Sequence, residues 1–182
     1  MHVLVTVGSR HGSTREIGDS LAGVLEREAH TVAQVDPDDV TSLVGYDAVV
    51  LGSAIYAGQM TESVRALVRR LEAALVDIPL WLFWSGPIGA RARPVGEPDD
   101  VRLLQRRLKP RGVHMFGGQL ATAGLGMAER SLVAAVGAVP GDYRDFEAVD
   151  SWAEQIAVEL RAKARPGIEI PPSGQWRGLG PA

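Results

Sequence analysis

Cysteine is absent from this chain of 182 residues. That excludes disulfides, thiolate metal sites and cysteine nucleophiles together, and it fits a cytosolic compartment. A basic stripe is also missing: Lys and Arg are spread through the sequence and the formal net charge is −3, so nucleic acid is not an expected partner. No apolar run approaches the roughly 20 residues that span a bilayer. The opening MHVLVTVGS has no basic leader before a long apolar stretch, so no signal peptide is expected. The expected location is therefore the cytoplasm, with peripheral contact at the inner face of the membrane left open. His2, His30 and His114 lie far apart with no partner at metal spacing, so no metal site is expected. There is no internal repeat.

What is present reads as one ordinary globular domain. Hydrophobic residues make up 46% and charged residues 23%, with a mean hydropathy of +0.03, and 182 residues are enough to bury a core. The domain is expected over 1–164, with an insertion at about 121–145. The Gly- and Pro-rich stretch 165–182 is expected to be a tail.

Val3 to Val7 is a short, β-branched, nearly continuous apolar run that stops at Gly8. Such a run predicts a strand buried on both faces, as in parallel sheets. From Ser13 the period changes, and Ile17, Leu21, Val24 and Leu25 mark one face of a helix. Ser13 with Glu16 three residues on predicts a capping box at its start. Thr31 to Val35 alternates as a weaker strand. Asp47 to Gly52 is a second buried run, also ending at glycine. Val64, Leu67, Val68, Leu71 and Leu75 predict a second helix, and Ile78 to Trp84 a further strand. Val101, Leu104 and Leu108 predict a helix, Val113 to Leu120 a strand, and Val149, Trp152, Ala153, Ile156 and Leu160 the last helix.

Strands alternating with helices predict an α/β fold: a doubly wound, five-stranded parallel sheet of order 2-1-3-4-5 with helices on both faces. Ligands of such sheets lie beyond the carboxyl ends of the strands, where strand order reverses. That singles out Gly8 to Thr14, Ser53 to Met60 and Ser85 to Gly96, all rich in Gly and small polar residues. The first loop joins a strand directly to a helix N-terminus, where free N–H groups and the helix dipole suit a phosphate. Ser9, Ser13 and Thr14 add hydroxyl donors, and Gly12 lets the backbone close around an anion. The loop lacks the lysine-containing loop of nucleotide triphosphatases and the G-x-G-x-x-G of dinucleotide sites. The competing reading is a Ser/Gly turn that only caps a helix.

The stretch S-R-H-G-S-T-R-E-I (residues 9–17) resembles the phosphate loop of flavodoxin-like proteins. More narrowly, it is similar to the menaquinone-dependent protoporphyrinogen oxidase branch. VVLGSAIYAG (49–58) is similar to that branch's second cofactor loop, and GDYRDFEAVDSW (141–152) to the segment leading into its last helix. The resemblance covers nearly the whole chain to about Ala164. It implies non-covalent FMN, with Ser9, Arg10, His11, Gly12, Ser13 and Thr14 at the phosphate. Ser53, Ala54, Ile55, Tyr56, Ala57 and Gly58 would flank the isoalloxazine, with Ser85, Gly86, Pro87 and Ile88. No general acid or base is nominated, because flavin chemistry belongs to the cofactor.

The resemblance further implies an FMN-dependent oxidoreductase that passes electrons from a porphyrinogen to a quinone. The alternatives are an electron-carrier flavodoxin working between redox partner proteins, and a flavodoxin-like binding domain without flavin. Arg91 and Arg93 are candidates to attract the carboxylates of an anionic substrate; a solvated loop is the other reading. Two departures stand out. Position 8 is Gly where the branch usually has a hydroxyl residue, which implies one phosphate hydrogen bond fewer. Tyr56 stands one place early for a stacking tyrosine. Trp81 and Trp84 read as core residues, Trp84 being the better placed for a flavin contact. The segment 124–139 has a helical apolar face whose default role is packing on its own sheet; a membrane surface, a substrate cleft and a second subunit are its other options.

Overall fold

The computed structural model describes residues 1–86, 96–120, 126, 131 and 139–164. Pro87, Ile88, Arg91, Arg93, nearly all of 124–139 and the tail 165–182 lie outside the described residues.

Five parallel strands form the centre: β1 (His2–Gly8), β2 (Thr31–Gln34), β3 (Ala48–Tyr56), β5 (Leu80–Gly86) and β6 (Gly112–Gly117). They pair in the order β2-β1-β3-β5-β6, and the two-residue β4 (Gln59–Met60) folds back on β3. Leaving β4 aside, this is the order 2-1-3-4-5 read from the sequence. The helices are α1 (Ser13–Arg27), α2 (Glu62–Asp77), α3 (Asp99–Leu108) and α4 (Phe146–Ala164). A second, two-stranded sheet joins β7 (Gln119–Leu120) to β8 (Gly141–Asp142) antiparallel.

The period of two along each strand divides the core in half. Val3, Val5 and Val7 of β1, with Trp81 and Phe83 of β5, face Ile17, Leu21 and Leu25 of α1 and Val149, Trp152, Ile156 and Leu160 of α4. Leu4, Leu80, Leu82 and Trp84 face the other way, onto Val64, Leu67 and Leu75 of α2 and Val101, Leu104 and Leu108 of α3. Trp81 and Trp84 thus serve opposite layers of the core. Trp84 is 5% exposed, so its side chain is committed to packing rather than to the rim where a ligand would sit.

The structure departs from the predicted elements in three places. The run ending at Gly52 continues as strand to Tyr56, because Gly52 is not a stop but a close approach. A Cβ there would lie 2.3 Å from Cζ of Phe83, so glycine lets that ring cross the neighbouring strand. Val113 to Leu120 is not one strand: β6 ends at Gly117, and β7 turns away to meet β8. The break is set by contacts of two glycines. A Cβ on Gly117 would fall 2.0 Å from the Tyr143 carbonyl oxygen, and one on Gly118 2.9 Å from that of Gly86. The capping box is absent too. Gly12, at φ 87°, is the N-cap of α1, no side chain caps the helix, and the Glu16 carboxylate turns to Arg144 instead.

Candidate functional site

Strand order reverses between β1 and β3, so their carboxyl ends, with that of β5, form the rim expected to receive a ligand. The β1–α1 loop is held from inside. Ser9 Oγ accepts the Gly12 N–H at 3.1 Å, and the Gly12 carbonyl accepts the Glu16 N–H at 3.0 Å. No side chain caps the first turn of α1, and nothing lies within 4 Å of the Cβ direction of Gly12. Uncapped first-turn N–H groups under open space are the donor set an anion needs.

Thr14 is placed differently from its predicted role. It is 1% exposed, and its hydroxyl shares a 2.8 Å hydrogen bond with that of buried Ser85. These two side chains stitch the start of α1 to the end of β5, and the bond brings the first and third predicted loops together. Gly86 follows at the end of β5, where its carbonyl oxygen accepts the Gly118 N–H at 3.0 Å.

The second predicted loop, Ser53 to Met60, is a β-hairpin. Ile55 pairs with Met60 and Tyr56 with Gln59, while Ala57 (φ 50°) and Gly58 (φ 79°) make the turn. Positive φ at both central residues is the geometry of a two-residue hairpin turn whose twist matches that of its strands. Ser53 is fully buried: it donates to the Ala54 carbonyl at 2.9 Å and accepts the Thr61 N–H at 3.0 Å. It braces the hairpin from within, and Ala54, 6% exposed, is also inside. Tyr56 meets the phosphate-loop candidate directly. Its hydroxyl accepts the Arg10 N–H at 3.2 Å, the Arg10 guanidinium lies 4.9 Å above its ring, and His11 approaches edge-on with centroids 6.0 Å apart.

Gly8 has a packing reason. A Cβ there would sit 2.0 Å from Thr61 Oγ1, 2.8 Å from Val64 Cγ2 and 3.0 Å from Ser63 Oγ. The start of α2 therefore occupies the space that a side chain at position 8 would fill, and a hydroxyl residue has no room.

Arg144 is the residue that sequence reasoning missed. Its side chain is 7% exposed. Nε and Nη2 donate to Asp142 Oδ1 at 2.8 Å and to Oδ2 at 2.6 Å, a two-pronged pair. Nη1 donates to Glu16 Oε2 at 2.5 Å and approaches the Ser13 carbonyl oxygen at 3.5 Å. The Asp142 carboxyl is held below its ordinary range chiefly by the Arg144 hydrogen bond, and Arg144 is pushed further up by the same partner. Arg144 lies within the segment 141–152 that carries part of the resemblance, but no periodicity marks it as a site residue. Among the described residues no group of three His, Cys, Asp or Glu side chains is arranged to hold a metal. No described helix is long and apolar enough to cross a membrane.

Comparison with known proteins agrees with this fold. The profile of the flavodoxin domain family matches residues 4–146. A cysteine-to-serine mutant of flavodoxin from Pseudomonas aeruginosa superposes with a TM-score of 0.61 at 15% identity, over 88% of this chain and 99% of that one. Oxidised Flavodoxin 2 from Bacillus cereus gives 0.61 at 18% identity, over 88% and 99%. The rubredoxin oxygen:oxidoreductase from Desulfovibrio gigas gives 0.61 at 14% identity, over 91% of this chain but 37% of that longer one. Among curated proteins none matches the sequence.

Proposed function

Because the chain belongs to the flavodoxin domain family, whose members carry FMN, we propose that it is an FMN-binding electron-transfer protein. One observation carries the reading. The β1–α1 loop presents an uncapped helix start beneath open space at Gly12, at the point where strand order reverses. That donor set fits a phosphate monoester. When bound, FMN supplies the redox chemistry. The protein's part is to bind and orient it. Backbone N–H groups of Ser13, Thr14 and Arg15 and the hydroxyl of Ser13 would take the phosphate. Tyr56 and the Ala57–Gly58 turn would flank the ring, where an aromatic face suits a planar ligand. Thr14, Ser53 and Ser85 act one layer below, fixing the loops to one another.

The electron carrier between redox proteins is the reading that the structural neighbours favour. The finer reading, oxidation of a porphyrinogen with a quinone as acceptor, is supported by the motifs at residues 9–17 and 49–58. The modest net charge of −3 and Arg10 at the rim are also easier to reconcile with an anionic small molecule than with a basic protein partner.

Titration of the flavin-free protein with FMN, followed by quenching of flavin fluorescence, tests the cofactor. Saturable one-to-one binding is expected, and a protein that rejects FMN refutes the proposal. Anaerobic mixing of the FMN-loaded protein with a porphyrinogen then separates the two activities. Bleaching of the flavin supports the oxidase, and its absence leaves the carrier.

A further inference from the structure

The arginine that clamps the first turn of α1 stands just past the end of β8, far in sequence from the three candidate cofactor loops. Its position brings three charges together: one guanidinium, the Glu16 carboxylate of the first helical turn, and the Asp142 carboxylate. A carboxylate in that turn is welcome to the helix dipole. It is unwelcome to a second anion bound at the same end, because both compete for the same positive potential. Phosphate, carrying nearly two charges, is the anion most affected.

We infer that Arg144 is a positioning residue for the phosphate end of the site. By binding Glu16 it offsets the carboxylate that would repel a phosphate, and it ties the first turn of α1 to the β7–β8 hairpin. The geometry carries this in three ways. The guanidinium is nearly buried, so packing holds it against the first turn while its two carboxylate partners stay in contact with solvent. Its Nη1 reaches both the side chain of Glu16 and the main-chain oxygen of Ser13, two groups of the turn that would face the anion. The two-pronged bond to Asp142 fixes the plane of the guanidinium, so that Nη1 has one available direction. The inference rests on the FMN reading and sharpens it, since it concerns the phosphate and not the ring.

Riboflavin, which is FMN without its phosphate, makes the test specific. The dissociation constants of both flavins are measured by fluorescence quenching for the wild type, Arg144→Lys, Arg144→Gln, and a triple variant Arg144→Gln, Glu16→Gln, Asp142→Asn. In Arg144→Gln, FMN is expected to weaken about three- to tenfold, the scale of one charge at a helix terminus, with riboflavin unchanged. Arg144→Lys should recover most of the loss, because it restores the charge without the fork. The triple variant, which removes the two carboxylates along with their partner, should bind FMN as the wild type does, and it stands in for Arg144→Gln if the latter fails to fold. Equal weakening of both flavins would overturn the inference, as would loss of FMN alone in the triple variant. A wild type that takes up neither flavin would instead overturn the cofactor reading, so the two failures are distinguishable.

Discussion

Replacing Gly8 by serine restores the hydroxyl that related phosphate loops carry, and reasoning from the loop alone would expect tighter FMN binding. The packing of α2 dictates the opposite. The new Cβ would lie 2.0 Å from Thr61 Oγ1 and 2.8 Å from Val64 Cγ2, well inside van der Waals contact. Thr61 is 5% exposed and β-branched, so it has few other rotamers to adopt. Either it turns away, losing the 3.2 Å bond from Ser63 and the 3.4 Å contact with Ser53, or the start of α2 moves. Overpacking of this kind costs about 1–3 kcal/mol, and each lost hydrogen bond about 1 kcal/mol more, giving about 2–4 kcal/mol in all. For a chain of this length that is a fall in Tm of about 5–15 °C. Urea unfolding should show a lower midpoint at unchanged slope, and FMN affinity should not rise. Adding Thr61→Ala to Gly8→Ser should recover much of the loss, a coupling that only neighbours show. A Gly8→Ser protein as stable as the wild type, with tighter FMN binding, would refute the packing account of this glycine.

Two further outcomes follow from buried polar groups. The Thr6 hydroxyl is fully buried on β1 with no hydrogen-bond partner among the described residues. Thr6→Val keeps the branched shape and removes the unpaired group, so it should raise stability by about 1 kcal/mol, read as a higher urea midpoint; a lower midpoint would show that the hydroxyl has a partner in solution. His30 is buried, and burial, its largest perturbation, holds its pKa below the ordinary 6.5 against the opposing pull of a backbone hydrogen bond with Ala157. Burial does the same to His114, whose ring lies tilted against those of Phe116 and Trp152. The unfolded chain therefore binds more protons just below pH 6.5. Stability is complete above that value and is lost as the pH falls toward the lower folded values. Unfolding free energies at about pH 8 and about pH 5 should differ, and His30→Leu should reduce the difference. An unchanged slope with pH in that variant would refute the role of His30.

Much of the fold is legible because it depends on local periodicity. Ile17, Leu21, Val24 and Leu25, chosen on spacing alone, are all at most 1% exposed, and the alternation of strand and helix implied the sheet order. The place of the candidate rim was legible for a topological reason: it lies where strand order reverses. What escaped depends on residues distant in sequence. Gly52 reads as a strand stop until Phe83 is seen crossing it, and Val113 to Leu120 as one strand until Tyr143 and Gly86 are seen against Gly117 and Gly118. Ser53 and Thr14 were legible as part of the rim, but their use as internal braces depends on partners eight and 71 residues away. Arg144 lies 128 residues from Glu16, beyond the reach of any window.

The small β7–β8 sheet has a wider consequence. It brings residue 120 beside residue 141, so the two ends of the stretch between them are held together by backbone pairing. Closure entropy grows slowly with loop length, about 0.6 kcal/mol for each doubling. The chain between those two posts can therefore be lengthened, shortened or exchanged at little expense to the five-stranded sheet. The loops at the carboxyl edge of the large sheet are thereby insulated from changes of sequence between the two posts.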